Sequence, residues 1–590
     1  MHCIRDVQIE SCVQNMLAAN YVSFVAALTA VYGFIKFLRS YIKWWMSPLW
    51  SLPGPRDGSF LVGTLKGNKT KTSPYNPTMF FPVSVTRSRL HFKNFPVHTG
   101  QFRMIRREPF LEPAKRWWKK AGVNAPFIHY SLPFGMDSLL VLDADVVKEV
   151  LFANYGERPR FAKRLNALIP IVGNGLVTLE GRDWQRHRRI IHPSFQPSLI
   201  RESLGDFVPK IMSRFISLWE KADGREIDVN THLSNLTLDI IGEVAFSHSF
   251  NALESIERWV DQGDDNYDML DLDDKVMKAM AEMLQNTARR ILLKILNLSI
   301  LDFSTARTRK AMDEAVDEVI TEARRKLKSN QNNNNCRDAT SHEGGGTKPL
   351  HGEQHSRISL LQRLLDAENS DAKKNARKSL GRHELRDETK TFLMAGHETT
   401  STWCYWAFFA LCKHPDVQEK VFRDINEHSP EGKTSDILMK SIEKMPYFNA
   451  FMKEVLRLYP PAGMIIRYTT KEENLKGVTI PPLTRLVIPI HLLHRHPNYW
   501  KDPEEFHPER WMGEAHPSSH KHAFMPFSKG PRNCIGYYFA EMEAKMLMAP
   551  LIRRFSFRLA PSIRNSDFTF SLFITMKTKP GLKIVARNRK

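Results

Sequence analysis

Three stretches of this chain combine residue types at spacings that suit redox chemistry. The first is Phe527-Ser528-Lys529-Gly530-Pro531-Arg532-Asn533-Cys534-Ile535-Gly536, followed from Tyr537 by an alanine- and methionine-rich helical run. It reads as a loop that delivers a thiolate. Gly530 and Gly536 permit backbone conformations and close approaches that a β-carbon blocks, and Pro531 stiffens the loop. Cys534 lies just ahead of a helix start, where unpaired N–H groups and the helix dipole favour an anionic sulfur. Arg532, two residues away, offers a fixed cation to a carboxylate on whatever the sulfur binds. A cysteine thiolate is one of the few axial ligands that haem iron accepts. A lone cysteine is more commonly a buried thiol; the ten-residue string as a whole points to the ligand.

The second stretch is Ala395-Gly396-His397-Glu398-Thr399-Thr400, at the centre of a helical run from Asp387 to His414. Gly396 inside a helix costs about 1 kcal/mol against alanine, which a ligand approaching the backbone closely would offset. Thr399 can bond back to a carbonyl and open the helix locally. Glu398 beside it is a titratable acid, and the pair can hold water and deliver protons. For Gly396 alone, a helix kink is the plainer alternative. In the third stretch, Gly181 to Arg189, Trp184 and Arg188 are four apart and share a helical face. An indole N–H and a guanidinium pointing together can donate to one carboxylate, although in isolation this is a basic surface helix. Glu454 and Arg457, three apart on one face, and Arg510 in Phe506-His507-Pro508-Glu509-Arg510-Trp511 add two arginines around one acid. An isolated surface ion pair is the alternative there.

The Cys534 decapeptide resembles the haem-binding loop of the cytochromes P450: Phe, two residues, Gly, one, Arg, one, Cys, one, Gly. Every fixed position is met. The resemblance implies haem b (iron protoporphyrin IX) with an axial thiolate from Cys534, Phe527 and Gly536 shaping the loop, and Arg532 on a haem propionate. Ala395–Thr400 resembles the family's acid–alcohol motif, so Thr399 would stabilise the oxygen intermediate and Glu398 relay protons. Trp184 and Arg188 resemble its Trp-three-residues-Arg propionate contact. Arg467, after Leu458-Tyr459-Pro460-Pro461, stands where the family often has another propionate-binding arginine. Glu454, Arg457 and Arg510 match its structural triad, with Trp511 in an aromatic place, and imply a folding role. The stretch 391–400 looks close to the branch containing fatty-acid ω-hydroxylases. Members of that branch often carry Glu at the position of Ala395, where it can form an ester to haem; alanine cannot, which weakens that substrate assignment.

The elements that must position these residues follow from pattern and composition. The expected fold is mainly α with small β-sheets, the P450 fold, preceded by a single N-terminal transmembrane helix. Met16 to Ile35 is twenty residues without a charge, and at about 1.5 Å per residue it can cross a ~30 Å hydrocarbon layer. Lys36, Arg39 and Lys43 follow at once, with Trp44, Trp45 and Trp50 at interface depth, so the positive-inside bias puts the C-terminal bulk in the cytosol. The division expected is a short lumenal stretch 1–15, an anchor 16–35, a basic, proline-rich linker 36–64, a basic irregular insertion 65–107 and a catalytic domain 108–590. The insertion carries nine Lys/Arg and no acid between Lys66 and Arg107. Within the domain, a first helix is expected from about Pro109, a strand at Ser138–Leu142, mostly helix over 200–328, and a disordered insertion at 329–356 around Asn332–Asn335 and Gly344–Gly346. Pocket walls are expected from Phe392, Ala395, 462–466, Leu165–Val177 and the loop near Leu572-Phe573, all mostly apolar.

The chain has 590 residues, 42% of them hydrophobic, and a formal charge of +21. A basic balance suits acidic partners; without zinc-finger spacing or an RNP-type motif, membrane lipid and an acidic redox protein are favoured over nucleic acid. Six irregularly spaced cysteines are not a disulfide framework, so the catalytic part faces a reducing compartment. With no flavin or nicotinamide fingerprint, electrons would come from a separate NADPH–cytochrome P450 reductase, with cytochrome b5 as a second donor, and Arg182, Arg186 and Arg189 would suit docking of the acidic donor. The reading is a haem-thiolate monooxygenase of the endoplasmic reticulum membrane. It would insert one oxygen atom from O2 into a fatty acid, sterol, terpenoid or xenobiotic. The alternatives are a hydroperoxide-rearranging enzyme of the same fold, whose members tend to lose the acid–alcohol pair, and a non-catalytic haem-binding or sensor membrane protein.

Overall fold

The computed structural model describes residues 112–132, 136–153, 160–162, 169–262, 303–340, 359–369, 379–429, 439–513, 517–572 and 575–589. The expected segments 1–15, 16–35, 36–64 and 65–107 lie outside them. Among the described residues, no helix is long and apolar enough to cross a membrane. The chain divides into two compact units. One holds the described residues up to Val141 together with Lys471–Val487; the other holds Leu142–Thr470 and Ile488 onward.

In the first unit, helix α1 (Glu112–Ala121) buries Ala114 and Trp117. Trp117 packs on Tyr130, ring centroids 5.4 Å apart. Strand Phe127–Leu132 pairs antiparallel with Met136–Val141, from Phe127 opposite Val141 to Leu132 opposite Met136. The second of these runs parallel to Arg485–Ile488 through Ser138↔Arg485, Leu139↔Leu486 and Leu140↔Val487. The strand expected at Ser138–Leu142 thus starts two residues earlier and ends one residue earlier.

The second unit is mainly helical. Helix α2 (Ala144–Phe152) starts at Asp143, whose carboxylate accepts from the N–H groups of Asp145 and Val146, satisfying orphan donors of the first turn. Helices α3 (Gly181–Ile191), α4 (Pro197–Lys221), α5 (Val229–Ile241), α6 (Phe303–Thr340), α7 (Arg382–Lys413), α8 (Pro446–Leu458) and α9 (Tyr537–Arg554) follow. A three-stranded antiparallel sheet joins Glu226–Asp228, Lys583–Asn588 and Phe555–Leu559. A hairpin pairs Thr569–Leu572 with Met576–Lys579.

Helix α7 is the axis of this unit. Its start is tied by Glu384, which accepts from the Gly381 N–H at 2.8 Å. From Trp403 to Leu411 every residue is buried. A helix apolar on all sides is stable only when surrounded, and α7 packs against α5, α8 and α9. The expected order–disorder boundary moves: α6 runs on to Thr340 through Asn332–Asn335. Extending a nucleated helix gains one hydrogen bond for each residue fixed, so a polar run can follow where a separate helix would not start. Residues 341–358 lie outside the described part.

Candidate active site

The Cys534 loop is shaped by its backbone. Cys534 N–H donates to the Phe527 carbonyl at 3.0 Å, and Asn533 N–H to Gly530 at 3.1 Å. Gly530 has φ +78°, and a β-carbon there would stand 2.5 Å from the Leu151 carbonyl oxygen at the end of α2. Gly536 caps α9. The thiol is exposed to a cavity of about 350 Å³, lined by Phe527, Cys534 and Gly536 on the loop side and by Phe392, Ala395, Gly396, Thr399 and Thr400 of α7. Ala462 and Ile465 contribute further apolar wall. Of the other expected wall positions, Leu165 to Leu168, Phe573 and the side chains of Pro170, Ile171 and Leu572 lie outside the described residues, and Ile169 and Val172 to Val177 do not line the cavity.

Four expected residues stand apart from the lining but belong together. Arg532 donates to the Leu179 carbonyl at 2.7 Å, and its guanidinium lies 4.3 Å from the Trp184 ring centre. Arg188 grips the loop, donating to the carbonyl and side-chain oxygens of Asn533, both at 3.0 Å. Trp184 and Arg188 therefore do not converge on one group here: the indole supports Arg532, and the guanidinium orders the cysteine loop. Arg467 is 4% exposed; one N–H donates to Ile466 O at 2.8 Å, and its buried Nε has no partner among the described residues. Burial pushes both Arg467 and Arg532 down to about 10; Arg532 adds to the lowering at Arg467 and Arg188 to that at Arg532, while the Glu180 carboxylate partly offsets it at both. Among the described residues neither forms an ion pair with a carboxylate. Buried cations left so are costly and call for an anion. A macrocycle with two carboxylates and an iron suited to a thiolate fits this donor set.

On α7, Thr399 Oγ1 donates to Ala395 O at 2.8 Å, one turn back, within an uninterrupted helix. The expected local opening is absent. Gly396 lines the cavity, as expected, and meets a second demand: a β-carbon there would lie 2.9 Å from Ile241 Cδ1, so the glycine also lets α5 cross α7 at contact distance. Glu398 does not line the cavity. Its carboxylate accepts from Thr575 at 2.7 Å and pairs with Lys577 at 2.8 Å. Neither partner was marked by any local motif; an acid nearly buried on a central helix was the signal that a cation must come from elsewhere.

Glu454, Arg457 and Arg510 form one buried network. Arg457 donates to both Glu454 oxygens at 2.9 and 2.8 Å, and Arg510 Nε to one of them at 3.0 Å. His507 N–H and the Trp511 indole complete the carboxylate's shell at 2.9 and 2.8 Å. Trp511 is thus a donor as well as an aromatic filler. Burial alone would raise the Glu454 carboxyl, but Arg457 and Arg510 hold it below its ordinary range. Arg186, expected to face a partner, is instead committed to Glu384 and to the Ser379 carbonyl.

A family profile described as Cytochrome P450 matches residues 129–584. The chain is 30% identical to "Cytochrome P450 4Z1" of Homo sapiens over 437 residues, covering 73% of this chain and 78% of the relative. It is 29% identical over 456 residues to "Cytochrome P450 CYP72A616" of Paris polyphylla, covering 75% and 78%. It is 28% identical over 463 residues to "Cytochrome P450 monooxygenase sphH" of Aspergillus fumigatus, covering 75% and 78%.

Proposed function

The chain belongs to the cytochrome P450 family and is an enzyme of the monooxygenase class, and on that premise we propose that it is a haem-thiolate monooxygenase acting on a lipophilic substrate at the endoplasmic reticulum membrane, with NADPH-derived electrons supplied by a separate reductase. The observation that carries this reading is the pairing of an exposed Cys534 thiol at the cavity with two buried guanidiniums, Arg467 and Arg532, that form no ion pair with a carboxylate among the described residues.

In this reading haem b, when bound, would supply the chemistry of dioxygen activation and oxygen-atom transfer. Cys534 holds the iron through its sulfur. Arg467 and Arg532 would bind the propionates, where charge-assisted hydrogen bonds are strongest, with Trp184 supporting Arg532 and Arg188 holding the cysteine loop. Phe527 and Gly536 keep the loop in place around the sulfur. The apolar walls from Phe392, Ala395, Ala462 and Ile465 orient a hydrocarbon and exclude water. Thr399 holds a hydroxyl at the cavity, and Glu398 provides the acid of the proton path. The cytosolic placement rests on the charge pattern around residues 16–35, and the basic, proline-rich stretch at 36–64 leads from the anchor toward the domain.

Dithionite plus carbon monoxide should give the red-shifted Soret band of a thiolate ligand, and Cys534→Ala should abolish it; an imidazole-type band would overturn the assignment. Thr399→Ala should raise peroxide yield while haem stays bound, and unchanged coupling would remove Thr399 from the proton path. A panel of fatty acids, sterols and terpenoids, screened for substrate-induced spectral shifts, identifies the substrate class.

A further inference from the structure

Glu398 is held by a segment 177 residues further along the chain. Thr575 and Lys577 belong to the hairpin that ends in Met576–Lys579, and both reach the same carboxylate oxygen, at 2.7 and 2.8 Å. Thr402, one turn along α7, has one hydroxyl hydrogen to share between the Glu398 carbonyl at 2.8 Å and Thr575 Oγ1 at 3.1 Å. Lys577 Nζ also donates to Asn230 Oδ1 at the start of α5, at 2.5 Å. The hairpin, α5 and α7 therefore meet at one ammonium. The Lys577 side chain is 23% exposed and that of Glu398 12%, so Lys577 is where this network meets water. An ammonium has three donors, and two are committed here.

We infer that Lys577 is a positioning residue for proton delivery: it holds the Glu398 carboxylate at the hairpin, off the cavity wall, where it can take protons from the water that reaches Lys577 and pass them toward the Thr399 side of the helix. This rests on the monooxygenase reading. The grip has an electrostatic side. Burial alone would raise the Glu398 carboxyl, but Lys577 first, then His397 and the Thr575 hydroxyl, more than offset this and keep it below the usual carboxylate range. Among the described residues, the titratable groups facing it are Lys577 from the hairpin and His397 from α7 itself. Burial depresses the His397 imidazole, so Lys577 supplies the cation. Once Lys577 is removed, desolvation dominates and the carboxyl takes a proton from solvent.

The test compares wild type with Lys577→Met, Lys577→Arg, Glu398→Gln and the Lys577→Met/Glu398→Gln double variant, all as full-chain holoproteins. Infrared difference spectra at neutral pH should show a protonated-carboxyl band gained in Lys577→Met, absent in Lys577→Arg and lost again in the double variant. Glu543, buried and pushed up to about 8, contributes equally to all and cancels. In turnover, product formed per NADPH should fall about tenfold in Lys577→Met, a part of the roughly 10²–10⁴ that a positioned proton transfer supplies. That loss should recover in Lys577→Arg and add nothing on the Glu398→Gln background. An unchanged infrared spectrum in Lys577→Met, or losses that multiply in the double variant, would overturn the assignment and leave Lys577 a strut of the hairpin. The infrared comparison needs no substrate, so it is distinct from failure of the monooxygenase reading, which the carbon monoxide band decides.

Discussion

Two groups of buried arginines in the same unit solve opposite problems. Arg457 and Arg510 surround Glu454, and every oxygen of that carboxylate is paired. Arg467 and Arg532 are also buried, yet among the described residues their direct contacts are carbonyl oxygens and an indole face, with Glu180 acting on them without an ion pair. The first group is closed and complete within the chain. The second is built for a partner that brings its own negative charge. Depth alone does not separate a folding network from a binding site; the state of the counter-charge does.

Substitutions can break that contrast or sharpen it. The largest effect belongs to Glu454→Gln, which leaves two buried guanidiniums without their acid. It should cost about 3–5 kcal/mol, read as a drop in the urea midpoint at unchanged slope. Arg467→Met should do the reverse: unfolding of the haem-depleted protein should be unchanged or slightly harder, while haem affinity falls about ten- to a hundredfold, the equivalent of about 1.5–3 kcal/mol for a charge-assisted bond. Equal losses of stability in both variants would erase the distinction.

A third prediction concerns acid. His494 lies under the closed network, its Nε2 accepting from Met525 N–H at 2.9 Å and its Nδ1 facing the Arg457 carbonyl at 3.0 Å. With one nitrogen accepting, the ring must be neutral to donate from the other. Burial depresses its value to about 3. The unfolded chain therefore binds the proton first as pH falls below about 6.5. Stability should decline by up to about 1.4 kcal/mol for each pH unit from there to about 3, and His494→Gln should flatten that limb in pH-dependent denaturation. Smallest is Arg510→Lys, which keeps the charge and gives up carbonyl contacts to Lys501 and Asp502; a loss of about 0.5–1.5 kcal/mol is expected by thermal melting.

The same contrast explains what was legible in the sequence. Cys534, Arg532, Thr399, Glu454 and Arg457 sit in short strings whose spacing is itself the message, and the helices at 181–191, 382–413 and 446–458 stand where those strings need them. Contacts made across long loops left no such trace. Nothing around Lys577 announces Glu398, nothing around Ile241 announces Gly396, and the indole donor of Trp511 looked like an aromatic filler. Arg186 misled for a related reason: a basic residue in a basic helix reads as surface until Glu384 is seen opposite. The polar run in α6 misled because composition reports what cannot nucleate, while continuation of an existing helix is a weaker demand.

The crossing at Gly396 has a consequence for selectivity. With Ile241 already at contact distance from the α7 backbone, that side of the chamber has no slack to yield to a bulkier guest. Accommodation of differently shaped molecules must come from other walls, such as those at Ala462 and Ile465. Trimming Ile241 to valine would open space beneath the crossing without touching any reactive group, and the range of molecules admitted would widen from an unexpected direction.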